Sequence, residues 1–311
     1  MTFPRIPQLA ARAFLAAAAG FFALPSNSAP GEALARSTSV DTLRDKYAQV
    51  RDRLEKNPYG RPLWLDSRDL SGKLQGDAYA VVTQPFAKVQ AALAPASSWC
   101  EVLMMPFNTK SCAAKDGRDT SRLSLFVGRK SDTPVESTFR LDFDYALTAR
   151  TADYLEVVLK AGDGPLGTRD YHILLEAIPL DESRTFLHFG YAYSYGMVSK
   201  LAMQAYLATA GASKVGFSTE GREGNGQPRL VGGMRGVMER NTMRYYLAID
   251  AFLATTELPP ATRVTRRLND WFSATERYPR QLGEDIGRIQ YLAMKQREYA
   301  RMGTPPRVAG T

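Results

Sequence analysis

Phe139-Arg140-Leu141-Asp142-Phe143-Asp144-Tyr145 alternates apolar and charged residues without a break. A period of two marks a strand with one face buried and the other in water. Asp142 and Asp144 share the charged face, so they read as solvated carboxylates rather than as a catalytic pair. Downstream, the spacing predicts strands over 154–161, 171–180 and 184–195, and upstream over 122–127 and 70–83. Gly162-Asp163-Gly164-Pro165 and Asp181-Glu182-Ser183 lie between the later strands. Links this short join neighbouring strands as an antiparallel meander.

The stretch from Arg184 to Tyr195 departs from the alternation. Leu187, Phe189, Tyr191, Tyr193 and Tyr195 form one face, and Phe186, His188, Gly190, Ala192 and Ser194 the other. Neither face carries a charge after Arg184, so both are expected to be covered by protein or by a ligand.

Helices flank the strands. Residues 39–56 place Leu43, Tyr47, Val50 and Leu54 on one face, and Asn57-Pro58-Tyr59-Gly60 ends that run. A short helix is expected over 85–93. Trp99 to Pro106 is a compact apolar piece. After Gly196 the chain turns helical over 197–215, then loops around Asn225-Gly226, and a long helix follows over 230–255. Beyond Leu258-Pro259-Pro260 a last helical region spans 263–302.

The beginning of the chain reads as an export address. Met1 to Arg12 carries Arg5 and Arg12 and no acid, Ala13 to Leu24 is uninterruptedly apolar, and Pro25 with Ser26, Ser28 and Ala29 follows. Residues 1–28 are therefore expected to be a cleavable signal peptide and the mature protein periplasmic or secreted. The apolar run falls short of the ~20 residues a spanning helix needs. In an oxidising compartment Cys100 and Cys112, the two cysteines of the chain, can form a disulfide. Closing that short loop contributes roughly 3 kcal/mol on the chain-entropy model. Two buried thiols are the alternative.

The formal charge is +8, and from Ala261 onward ten Lys and Arg stand against five Asp and Glu. A basic envelope protein favours anionic partners, of which a phospholipid surface is the abundant one. No basic-aromatic module points to nucleic acid. A serine-hydrolase elbow at Ala192-Tyr193-Ser194-Tyr195-Gly196 fails because both histidines, His172 and His188, precede the serine. Zinc-ligand spacings and phosphate-cradling glycine loops are absent from the sequence, so no metal or cofactor is implied.

Ala78 to Leu93, where a strand runs into Gln84-Pro85-Phe86-Ala87-Lys88-Val89, and the string of strands from Glu136 to Tyr195 leading into a helix resemble the START-like (SRPBCC) superfamily. The likeness covers roughly residues 70–255. It implies an α+β helix-grip fold: a curved antiparallel β-sheet gripping a long C-terminal helix, with extra N- and C-terminal helices. The organisation expected is an N-terminal helical segment over 36–66, a ligand-binding domain over 67–257 and a C-terminal helical extension over 258–311. It also implies an apolar cavity between sheet and helix for a lipid, sterol, quinone-like or polyketide-like molecule. The wall candidates on the strands are Phe143, Tyr145, Tyr171, Ile173, Phe186 and His188; those on the closing helix are Met234, Met238, Asn241 and Tyr245. The leading expectation is a non-catalytic carrier, possessing no catalytic residue and moving its ligand between membranes. The alternatives are a cyclase- or aromatase-like enzyme using His188 or a cavity tyrosine, and an envelope interaction protein docking through 39–56 and 263–302. The sequence assigns no oligomeric state.

Overall fold

The computed structural model describes residues 30–302 apart from 116, 118–120, 210, 284 and 285, with side chains from residue 39. The expected signal at 1–28 lies outside the described residues. The chain runs α1 (Pro30–Glu55), β1 (Leu63–Asp69), β2 (Lys73–Val82), α2 (Phe86–Leu93), α3 (Ala96–Leu103), β3 (Thr109–Lys115), β4 (Ser121–Val127), β5 (Phe139–Arg150), β6 (Leu155–Asp163), β7 (Thr168–Pro179) and β8 (Thr185–Tyr195). Then come α4 (Met197–Ala208), the hairpin strands β9 (Thr219–Arg222) and β10 (Pro228–Leu230), α5 (Gly233–Leu253), α6 (Pro260–Glu276), α7 (Pro279–Leu282) and α8 (Arg288–Ala300).

Eight strands form one antiparallel sheet in the order β1-β2-β8-β7-β6-β5-β4-β3. The fold is α+β, a curved sheet gripping α5, as the helix-grip expectation requires. The strand expected over 70–83 is instead the second arm of a hairpin. Leu70, Ser71 and Gly72 turn the chain, with Ser71 and Gly72 at positive φ, and Leu63 pairs with Ala80 across it. The expected C-terminal helix divides into α6, α7 and α8, because Pro279 and Gly283 interrupt it.

α5 lies against the concave face, contacting β1, β2 and β8. Gly76 of β2 makes that approach tight: a Cβ there would lie 2.2 Å from Thr242 Oγ1 and 2.9 Å from Met238 Cγ. A side chain at residue 76 would push the helix off the sheet.

The concave core is continuous with the C-terminal helices, where Leu268, Trp271 and Tyr291 are fully buried. Their attachment is polar as well as apolar. Buried Glu298 takes Lys295 Nζ at 2.7 Å and Lys110 Nζ at 3.2 Å, and the two ammonium groups also donate to the Thr109 and Phe107 carbonyls. Burial lowers the Lys295 pKa to about 8. Arg267 pairs with Glu101 and donates to Thr255 Oγ1. Cys100 and Cys112 form a disulfide between α3 and β3.

α1 covers the convex face. Val40, Leu43, Val50 and Leu54 pack with Tyr79, Tyr154, Ile178 and Phe186 in a second core. The apolar faces expected to serve for docking are thus used inside the chain, in α1 and in the last helices alike.

Candidate functional site

A cavity of about 310 Å³ lies between the concave face and the helices α4 and α5. Its sheet wall comes from alternate residues of neighbouring strands: Leu125 and Val127 on β4, Leu141 and Phe143 on β5, Tyr171 and Ile173 on β7, Tyr191 and Tyr193 on β8. These share one face because the antiparallel register sets Leu125 against Leu141 and Ile173 against Tyr191. The volume sits at the lower end of the ~300–1,000 Å³ range of small-molecule sites. Asn241 and Tyr245 of α5 supply the opposite wall, and Ala202, Met203 and Tyr206 of α4 the roof.

The tyrosines form one packed group. Tyr171 stacks on Tyr193 at 5.3 Å between ring centroids, and Tyr191 meets Tyr245 edge-on at 5.4 Å. Burial drives the phenol pKa values upward, to about 12 for Tyr245 and well above its ordinary value for Tyr191. These rings are therefore neutral near pH 7, acting as aromatic wall and hydroxyl hydrogen-bonders.

The mouth carries local strain. Leu166, which lines the cavity in the 165–167 turn, sits at φ +58 and is 65% exposed. A bulky side chain in the left-handed region is an outlier. Ser199 of α4 donates to the Leu166 carbonyl at 2.8 Å, tying roof and turn together. Met197, Val198 and Leu201 of α4 point outward, between 58% and 71% exposed.

A second, polar space of about 300 Å³ adjoins the first. Asn108, Tyr191, Asn241 and Tyr245 line both, and the second space adds Arg129, Lys130 and Arg244.

Of the ten residues expected in the wall, five line the apolar cavity: Phe143, Tyr171, Ile173, Asn241 and Tyr245. Tyr145 faces the same core but donates its hydroxyl to the Ala94 carbonyl. Met238 is buried at the Gly76 crossing, and Met234 is packed at the core's edge. Phe186 and His188 require correction, since both belong to the convex face. Phe186 packs on Tyr47 of α1, with ring centroids 5.0 Å apart. His188 stacks on Tyr79 at 4.4 Å; Nε2 lies 2.9 Å from Asp77 Oδ1, and Nδ1 lies 2.7 Å from Glu176 Oε2. The Tyr154 hydroxyl sits 2.6 Å from Glu176 Oε1. Burial alone would lower the His188 pKa. The two carboxylate hydrogen bonds outweigh it and raise the value to about 9, so the ring is an imidazolium at neutral pH. The space left under α1, about 330 Å³, is edged by Leu43 and Tyr79 and by the polar groups of Asp45, Lys46, Gln49, Glu176 and His188.

The wall positions that sequence reasoning missed include Tyr191 and Tyr193, the aliphatic Leu125, Val127 and Leu141, Leu166 and the α4 residues. Asp142 and Asp144 are on the solvated face as expected, paired with Arg140 and Arg122. No helix among the described residues is long and apolar enough to cross a membrane.

No family model and no curated protein matches the chain. Similar solved structures include human StAR-related lipid transfer protein 5, at 10% identity over 70% of this chain and 97% of that one, with a TM-score of 0.33. The Zhui aromatase/cyclase from Streptomyces sp. R1128 matches at 12% identity over 64% of this chain and 94% of that one, with a TM-score of 0.30. Truncated norcoclaurine synthase from Thalictrum flavum matches at 12% identity over 47% and 91%, with a TM-score of 0.32.

Proposed function

We propose that this helix-grip chain is an exported, non-catalytic carrier that holds a hydrophobic small molecule between its sheet and α5. The observation carrying this reading is the apolar, aromatic-walled cavity of about 310 Å³, roofed by α4. Packed cores leave few voids larger than a water molecule, so space of this size with an apolar wall favours an apolar occupant.

Two features support contact with a membrane. Leu166, Met197, Val198 and Leu201 expose apolar side chains around the cavity mouth, and patches of that kind mark interaction surfaces. From residue 185 to 219 the chain has no acid, while Lys200 and Lys214 are present. That composition suits an anionic phospholipid surface. Export rests on residues 1–28, and sequencing the N-terminus of the protein recovered from its native envelope checks it.

The enzymatic alternative loses His188 as an acid-base group, since it lies across the sheet from the cavity with both ring nitrogens bonded to carboxylates. Burial keeps Tyr191 and Tyr245 in the phenol form, which disfavours them as general bases and suits them to donating a hydrogen bond to a bound molecule.

Extraction of the purified protein followed by mass spectrometry tests the carrier reading. The expected result is a stoichiometric apolar molecule, absent from an Ala202→Trp variant prepared alongside. A wild-type protein that yields no apolar molecule and takes none up from vesicles contradicts it.

A further inference from the structure

We infer that the ligand is an amphiphile whose apolar body fills the cavity and whose anionic group, a carboxylate or phosphate, enters the adjoining space beside Arg244. This inference rests on the carrier reading and adds the class of ligand. The two spaces meet at Asn108, Tyr191, Asn241 and Tyr245, so one molecule can pass from the apolar wall into the polar one without leaving the protein. The step in chemistry across that boundary is abrupt. The first space is walled by rings and aliphatic chains. Among the described residues, the second is lined by Arg129, Lys130 and Arg244 together with Asn108 and Asn241.

Arg244 is the decisive group. It is 9% exposed, on the third residue after Asn241 along α5, and its Nη1 lies 3.4 Å from the Asn241 Oδ1. A guanidinium keeps its charge at any working pH and presents a planar fork that fits carboxylate and phosphate oxygens. At a guanidinium buried to this extent such a contact is stronger than the same contact at the surface. Arg129 and Lys130 are exposed at the outer edge, where they face an incoming anion. A neutral apolar ligand, by contrast, would leave the second space to water. With volumes of about 310 and 300 Å³, the paired spaces suit one chain or ring system with one head group.

Calorimetric titration of the full-length mature protein with dodecanoate, monododecyl phosphate and dodecanol tests this. The expected result is that at least one anion binds about 10-fold or more tightly than the alcohol. The preferred anion identifies the head group. Arg244→Gln should remove that preference while leaving dodecanol affinity within about 2-fold, and Arg244→Lys should restore part of it. Because Arg244 is buried, the exposed pair Arg129→Gln and Lys130→Gln provides a variant that keeps the core intact. It should reduce the preference and its sensitivity to salt. Equal binding of all three probes overturns the inference and leaves the cavity reading standing. Binding of none overturns the cavity reading itself.

Discussion

The two faces of β8 meet opposite fates. Leu187, Phe189, Tyr191 and Tyr193 look toward α5, and at the Tyr191 end they border open space. Phe186 and His188, one residue out of step, are pressed under α1, with the ring of His188 clamped between Asp77 and Glu176. On the convex side the strand meets aromatic rings and two carboxylates beside a space of mixed polar and apolar lining; on the concave side it borders a cavity walled by rings and aliphatic chains. The difference teaches that one strand can serve stability and binding separately, because successive side chains never share a face.

Phe186→Ala against Tyr193→Ala is the sharpest way to break this contrast. Phe186 is fully buried among convex-side rings, so its truncation should cost about 3–5 kcal/mol and leave ligand affinity unchanged. Tyr193 already borders a void, so its truncation should cost less stability and weaken ligand binding. Denaturant melts paired with titrations read both. Equal stability losses would show that the faces are packed alike.

A pH series isolates the convex side. Below about pH 6.5 the imidazole of His188 is protonated in the folded and unfolded chain, and its carboxylate pairing contributes fully. As pH rises through about 9 the folded imidazolium loses its proton and the contribution disappears. Stability should fall across that window by up to roughly 3 kcal/mol. Binding of a neutral apolar probe to the folded protein should stay flat, since burial keeps Tyr171, Tyr191, Tyr193 and Tyr245 protonated through that window. His188→Gln should flatten the stability curve; a curve unchanged by that variant removes His188 as its source.

The smallest effect is expected at the solvated strand face. Asp144 and Arg122 pair with both side chains about 60% exposed, so Asp144→Asn should shift stability by less than about 0.5 kcal/mol and binding not at all.

Legibility in the sequence followed the same division. β5 announces its faces because Arg140, Asp142 and Asp144 mark the outside, and Phe143 duly lines the cavity. β8 has no charge after Arg184 to mark either face, and Phe186 and His188 were assigned to the wrong one. The missing signal lay in the hairpin itself. A turn centred on Glu182 sets Glu176 opposite His188 and Ile178 opposite Phe186, and Ile173 and Leu175 then share a face with Tyr191 and Phe189. β1 and β3 escaped notice because Ser67, Lys110 and Ser111 are polar yet buried, held by partners distant in sequence such as Glu239 and Glu298. Neither cavity could be read from spacing, since volume depends on how closely α4 and α5 approach the sheet.

Titration of a neutral apolar fluorophore into the wild-type protein and Ala202→Trp, side by side, tests the central claim most directly. Ala202 lines the roof, and an indole there occupies the space a ligand needs. Saturable wild-type binding, weakened at least about 10-fold in a variant of equal stability, is the result the account predicts. Equal binding to both proteins would place the ligand elsewhere and contradict it.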